Sequence, residues 1–355
     1  MTEVAEQQSR TTAGRRSLWT RTVGSLSSRQ VNLLLAAATS GAVVTGLVSW
    51  AVGTGWSRWW TALHATCGVL VVVLAPAKAR RSVRAGMRRR RPTRWISVAF
   101  GVIVMATVAL GFAHSTGVWT GVGYWTSLWT HFLLAFASVP LLVWHLWSRP
   151  VRPKAVDLDR RLLIGGGAAA AAAAVTVAAV EGAVRVVGLD GAERRFTGSH
   201  EIGSFDPDVM PTVSWIDDRA PATRPEDWEL RVDGLLVPLD DLRSSARPVD
   251  AVLDCTGGWW SEQRWDVVPI SELLAGDAAS FDVMSATGYA RRFPMRDAES
   301  VFVAVGYDGR RLRRGHGAPV RIVAPGRRGP WWVKWVVSIE PTDRPWWFQL
   351  PFPLT

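Results

Sequence analysis

Five apolar stretches limit most strongly what this chain can fold into. They cover about 31–53, 59–77, 95–114, 126–147 and 162–183, and each approaches the roughly 20 residues that cross a hydrocarbon core as helix. Tryptophans gather at their ends, Trp50, Trp59, Trp60, Trp95, Trp125 and Trp147 among them, as in the aromatic belt of a membrane interface. A content of 48% hydrophobic residues points the same way.

The charge between the stretches alternates. Residues 1–30 carry five arginines, the 53–58 loop one, the 78–94 loop nine Lys/Arg, the 115–125 loop none and residues 148–161 five. Cytoplasmic loops collect Lys and Arg. The N-terminus is therefore placed in the cytoplasm, and residues after about 184 outside the plasma membrane. A net charge of +11 with a basic run at 78–94 would suit nucleic acid. Apolar spans flank the run on both sides, however, so the bilayer is the expected partner and nucleic acid is not. Residues 1–30, polar and rich in Ser, Thr and Arg, read as a disordered cytoplasmic tail. The two cysteines, Cys67 in an apolar run and Cys255, lie far apart in sequence, which argues against a disulfide.

The basic linker and fifth span, 148–183, include Asp159-Arg160-Arg161-Leu162-Leu163. An arginine pair abutting a mild apolar core resembles a twin-arginine export signal embedded in the chain. An ordinary last helix with inside charges reads equally well. Beyond a polar connection at 184–225, Trp228 opens a strand–turn–strand pattern, and further strands are expected at 251–254, 301–305, 319–324 and 332–339. Short helices are expected at 238–243 and 270–275. Strands and helices mixed in this way make an α+β domain with room for one core.

Within it, Ala251-Val252-Leu253 leads into Asp254-Cys255-Thr256 and then Gly257-Gly258. The thiol is held at a strand end before a turn that lets a backbone approach something bulky. So placed, Cys255 is a nucleophile, a soft metal ligand or an inert buried hydrophobe. Motifs follow in order: Trp265-Asp266-Val267-Val268-Pro269-Ile270, Ser285-Ala286-Thr287-Gly288-Tyr289, His316-Gly317-Ala318-Pro319-Val320-Arg321, Pro325-Gly326 and Trp332-Val333-Lys334-Trp335. Over roughly Val209 to Thr355 this order and spacing resembles the molybdopterin domain of the sulfite oxidase family, which includes periplasmic methionine sulfoxide reductase molybdoenzymes.

The apolar stretches predict an α-helical transmembrane bundle of about five spans, and the resemblance implies that an α+β sulfite-oxidase-type molybdopterin domain follows it. It implies a molybdopterin-dependent oxidoreductase holding Mo-molybdopterin through Cys255, whose thiolate suits a soft metal. It further implies pterin contacts at His316, Arg321, Trp332, Val333 and Lys334, and a tyrosine beside the metal at Tyr289. Thr287, Ser214 and Trp215 are candidates for the cofactor mouth. The family's Arg-Asn-His stretch and Ala-Gly-Asn-Arg-Arg segment are missing; the nearest cations are Arg264, Arg291 and Arg292. Trp259 and Trp260 in place of arginines favour a small-molecule substrate that is neutral or partly apolar, such as a sulfoxide or N-oxide.

Four of six histidines lie in or beside the spans: His64, His114, His131 and His145. An ionisable side chain in a span is functional by default. The loop-charge topology sets His64 and His131 at one depth near the outer face, suited to clamp a haem b, while His145 lies deeper and His114 borders a quinone pocket. This arrangement loosely resembles the b-type cytochrome subunits of membrane hydrogenases and formate dehydrogenases. A haem-free anchor is the plainer reading of the same helices. The expected whole is a membrane enzyme exchanging electrons with a quinone or other carrier. The alternative is a membrane-anchored binding or sensory protein of the same fold that does no turnover.

Overall fold

The computed structural model describes residues 23–88, 92–122, 125–214, 218–222 and 228–350; Trp215 lies outside them. The chain divides into two compact units. One takes the residues through Gly46 and Trp59–Ala192, the other Leu47–Arg58 and Glu193 onward.

The first unit is helical. α1 (Ser28–Ala51), α2 (Arg58–Lys78), α3 (Arg94–Thr116) and α4 (Ser127–Ser148) follow in order. A π-helical turn, Leu162–Gly166, then leads into α5 (Gly167–Val187). Among the described residues, five helices are long and apolar enough to cross a membrane. Their apolar side chains face outward as much as inward: Val44, Val102, Phe136 and Val143 are exposed. A water-soluble helix would show polar residues there. Helices fill all five expected stretches, each running one to four residues past an expected end. Thr126 caps α4 by accepting from Trp129 N at 3.0 Å. Near their basic ends α1, α2 and α5 bury Val31, Leu74, Ala77 and Ala169. There Arg29 makes a two-pronged ion pair with Asp157 at 2.9 Å. That pairing holds the Asp157 carboxyl down at about 2. A short ribbon, β1 (Gly121–Val122) with β2 (Trp125–Thr126), joins α3 to α4.

Two sheets build the second unit. The first is centred on β7 (Trp259–Pro269), flanked by β6 (Arg247–Asp254), β10 (Phe302–Tyr307) and, in parallel, β3 (His200–Glu201). β11 (Arg310–Arg311) and β12 (Arg321–Val323) add to β10. The second sheet runs in the order β5 (Leu235–Val237), β4 (Leu230–Val232), β13 (Val336–Thr342), β8 (Ser280–Ser285), β9 (Ala290–Pro294). Only β13 with β4 is parallel in it. Two short helices, α6 (Leu239–Ser245) and α7 (Ile270–Leu273), lie where helices were expected.

The central strand β7 was not among the expected strands. Its inward positions are Trp259, Ser261, Gln263, Trp265 and Val267, so two polar residues break the apolar alternation. They are tolerated because Gly203 O accepts from both Ser261 Oγ (3.0 Å) and Gln263 Nε2 (2.5 Å). The β8–β9 hairpin was also not expected; it folds around Gly288, which turns at φ 87°. The strand expected at 332–339 starts later, at Val336. Residues 332–334 instead bridge to β12, through Arg321↔Lys334 and Ile322 N donating to Val333 O at 2.7 Å.

The core between the sheets is aromatic. Phe281 and Phe293 are fully buried and stacked, with centroids 5.4 Å apart. Phe293→Ala removes that stack and leaves a cavity, so it should destabilise the second unit by about 3–5 kcal/mol. A thermal unfolding curve of the detergent-purified chain, followed by tryptophan fluorescence, checks this.

Candidate molybdopterin site

Cys255 directly follows β6 and is 8% exposed. Its amide donates to Trp259 O at 2.8 Å and its carbonyl accepts from Gly258 N at 3.2 Å, which closes the turn between β6 and β7. Gly258 sits at φ 93°, a conformation open mainly to glycine. Gly257 N donates to the Cys255 sulfur at 3.3 Å. Burial pushes the thiol pKa up, while that N–H, Arg328 and Lys334 pull it back. The sulfur is thus positioned by backbone and faced by cations.

Those cations are fixed by the fold. Arg321 starts β12 and is 1% exposed. It donates to His316 O at 2.8 Å and lies over the rings of Trp265 (4.9 Å) and Trp332 (5.5 Å). Burial drives its pKa down to about 9. Across the bridge, Lys334 Nζ donates to Gly315 O (2.6 Å) and Val213 O (2.9 Å). Burial and the neighbouring Arg321 hold its pKa down at about 7. Gly317 at φ 107° lets these two side chains pass; a Cβ there would meet Arg321 Cβ at 3.0 Å and Lys334 Cβ at 3.2 Å.

A third cation, Arg328, was not singled out from sequence. It is 1% exposed, donates to Cys255 O at 3.0 Å and bridges to Asp254 in the backbone. Asp254 is the acid beneath the thiol. It accepts from Thr197 and Ser199 hydroxyls at 2.7 Å and from Arg195 Nε at 3.2 Å. Its nearest approach to Arg328 is 3.6 Å. Arg328 Nε and Nη1 are buried with no hydrogen-bond partner among the described residues. The available signal was the Pro325-Gly326-Arg327-Arg328-Gly329-Pro330 loop itself, two arginines held between turn residues. Gly329 lies close under the thiol loop, where a Cβ would meet Cys255 Cα at 3.4 Å.

Other expected residues are placed as follows. His316 Nε2 donates to Met210 O at 3.1 Å, which leaves Nδ1 to accept from Tyr307 O–H at 3.3 Å. Burial, with Arg321 and Lys334 nearby, lowers its pKa to about 4. Both of its nitrogens therefore face protein groups, and the ring is neutral. Tyr289 O–H donates to Pro330 O at 2.6 Å, and burial raises its pKa, so it is a donor and never a base at neutral pH. Thr287 meets Ser285 at 3.0 Å in the hairpin turn. Trp332 and Val333 are buried in the core. Ser214 is exposed. Of the cations expected near the site, Arg264 pairs with Asp250 and Arg292 with Asp282, while Arg291 lies 4.2 Å over Trp331. Trp259 is a core residue and Trp260 stacks under Arg195.

The structure brings together one buried thiol, the two buried guanidinium groups of Arg321 and Arg328, the half-buried Lys334 and two carboxylates, Asp254 by Arg328 and Asp218 by Lys334. An excess of buried positive charge is costly unless an anion arrives to meet it. A phosphate-bearing pterin with sulfur donors to a soft metal answers both features: the cations and orphaned Arg328 N–H groups take its charge, and Cys255 supplies a soft ligand. The residues present fit that group.

Comparison with known proteins agrees. Residues 218–347 match the family described as the oxidoreductase molybdopterin binding domain. Sulfite oxidase of Gallus gallus is 30% identical over 171 residues, covering 35% of this chain and 37% of its own. The sulfane dehydrogenase SoxCD of Paracoccus pantotrophus shares 25% identity over 35% of this chain and 40% of its own, with a TM-score of 0.33. The chain thus spans well under half the length of the relatives it matches. Over residues 218–347 the second unit is therefore similar to an oxidoreductase molybdopterin-binding domain.

Proposed function

We propose that this is a membrane-bound molybdenum enzyme that moves an oxygen atom at sulfur or nitrogen, by sulfoxide or N-oxide reduction or sulfite-type oxidation. The packing of buried Arg328 on the Cys255 carbonyl, with the bridged pair Arg321 and Lys334 electrostatically coupled to the thiol, carries the reading. When bound, the molybdenum pterin supplies two-electron redox chemistry at an oxygen atom. The chain's own residues do the rest. Cys255 holds the metal, with Gly257 N–H steadying its thiolate. Arg321 and Lys334, linked across one bridge, hold negative charge on the same side. Asp254 and Arg328 brace the thiol loop from below. Tyr289, kept protonated, offers a hydroxyl to a substrate oxygen if it leaves Pro330 O.

The five apolar helices and the loop charges support an N-terminus in the cytoplasm and a second unit outside the plasma membrane. In this reading the helical unit exchanges electrons with a membrane quinone or similar carrier and relays them through haem b. Retention of a metal-competent thiol among buried cations favours turnover over a purely binding or sensory role.

Three outcomes are expected. Cys255→Ser should leave the fold intact and abolish molybdenum-dependent reduction or oxidation, because an alcohol is a poor soft-metal ligand; turnover at the wild-type rate would sink the assignment. Lys334 titrates near 7 without the cofactor, and an anion beside it raises that pKa. Cofactor affinity should be full below pH 7, weaken as pH rises through it, and lose this pH dependence in Lys334→Met; reconstitution of cofactor-free protein measures it. Protease added to spheroplasts should cut the second unit but not the basic 78–94 loop, and cleavage of that loop in intact spheroplasts would invert the topology.

A further inference from the structure

The helical unit holds a pair of histidines whose arrangement the oxidoreductase domain does not explain. His64 on α2 and His131 on α4 have ring centroids 5.8 Å apart and ring planes at 81°. Neither ring touches the other edge to edge through a hydrogen bond. Each commits Nδ1 to a neighbouring helix instead: His64 to Ala42 O of α1 at 2.8 Å, His131 to Thr107 O of α3 at 2.7 Å. A carbonyl only accepts, so both Nδ1 atoms carry the proton and both Nε2 atoms present lone pairs.

Glycines make room for this. A Cβ at Gly46 would stand 2.9 Å from His64 Cε1, and one at Gly111 would stand 3.1 Å from His131 Cε1 and Nδ1. Each ring therefore lies edge-on against a bare stretch of backbone, with its proton-bearing edge fixed and its Nε2 directed away from that helix. A metal-ligating histidine is oriented in just this way, by a carbonyl on its second nitrogen. Two metal–imidazole bonds of about 2 Å, each starting about 1 Å from a ring centre, would separate the centroids by about 6 Å. The observed 5.8 Å is that spacing.

No group of three or more metal-ligating side chains occurs among the described residues. A metal held by two imidazoles alone must bring its remaining donors with it, which is what a porphyrin does. The chain's two cysteines, Cys67 and Cys255, form no Cys-x-x-Cys-His attachment motif, so the macrocycle is not covalently bound.

We infer that His64 and His131 are the two axial ligands of one b-type haem, coordinated through Nε2 with their imidazole planes close to perpendicular. This deepens the proposed electron relay and rests on it. Both axial positions are filled by protein, so the haem passes electrons and does not bind a substrate. The ring planes are set by the Nδ1 bonds to Ala42 and Thr107. Perpendicular axial planes leave the two π-interacting iron orbitals nearly degenerate, which gives ferric haem one large, broad low-field electron paramagnetic resonance feature. Parallel planes would give three resolved features.

The test uses the full chain, purified in detergent after expression with haem and molybdenum available. Expected are one non-covalent haem per chain, a low-spin spectrum and the single broad low-field feature. His64→Ala and His131→Ala should each lose the low-spin signal while keeping molybdenum, and added imidazole should restore part of it in His131→Ala. His114→Ala and His145→Ala should keep it. Retention of the low-spin signal in either ligand variant, or its loss in His145→Ala alone, would overturn the assignment; three resolved features in the wild type would overturn the perpendicular geometry. Absence of haem with molybdenum bound refutes this inference and leaves the molybdenum reading standing, whereas haem bound without molybdenum does the reverse.

Discussion

A buried thiol ringed by cations is the constraint around which the second unit is organised. Cys255 alone would be an ordinary buried cysteine, and burial does push its pKa up. Arg321, Arg328 and Lys334 change its character, and each is itself held below its usual pKa by burial. Asp254 offsets Arg328 but is already shared with Arg195, Thr197 and Ser199, and Asp218 offsets Lys334. Leaving several charges buried in this way costs stability that a fold without a bound anion has no reason to carry.

The sheets exist in the form that keeps those charges in place. The turn between β6 and β7 presents the sulfur, and two isolated backbone bridges fix Arg328 to Asp254 and Arg321 to Lys334. Trp265 and Trp332 hold the Arg321 guanidinium between them, and His316 is spent on tying the Met210 segment to Tyr307. The helical unit uses the opposite economy of charge. Its faces are apolar outward, the ion pair among its described residues lies at the Arg29–Asp157 end, and His64 and His131 are anchored on backbone carbonyls.

Much of this was legible in the sequence, for reasons that differ by element. The five apolar helices were plain because length and apolarity alone define them. Cys255, Arg321 and Lys334 were reached through motif order, and the structure does gather them. Strand β7 was hidden because Ser261 and Gln263 occupy inward positions and are satisfied only by Gly203, some sixty residues earlier. Arg328 was missed because nothing local distinguishes it from Arg327; one is buried under the thiol and the other pairs with Asp297. The carbonyls that orient His64 and His131 belong to other helices, so neither Ala42 nor Thr107 could be named from spacing. Ser127, four residues before His131 in sequence, bonds His114 at 2.9 Å and not His131.

The central claim is that Cys255 supplies the protein's sulfur to molybdenum. X-ray absorption at the molybdenum edge tests it most directly, comparing the purified wild-type chain with Cys255→Ser. The account predicts molybdenum in the wild type bound by the two pterin sulfurs and a third from protein, and the loss of that third sulfur in the variant. An unchanged sulfur shell in Cys255→Ser, or a wild-type chain that incorporates no molybdenum, would contradict it.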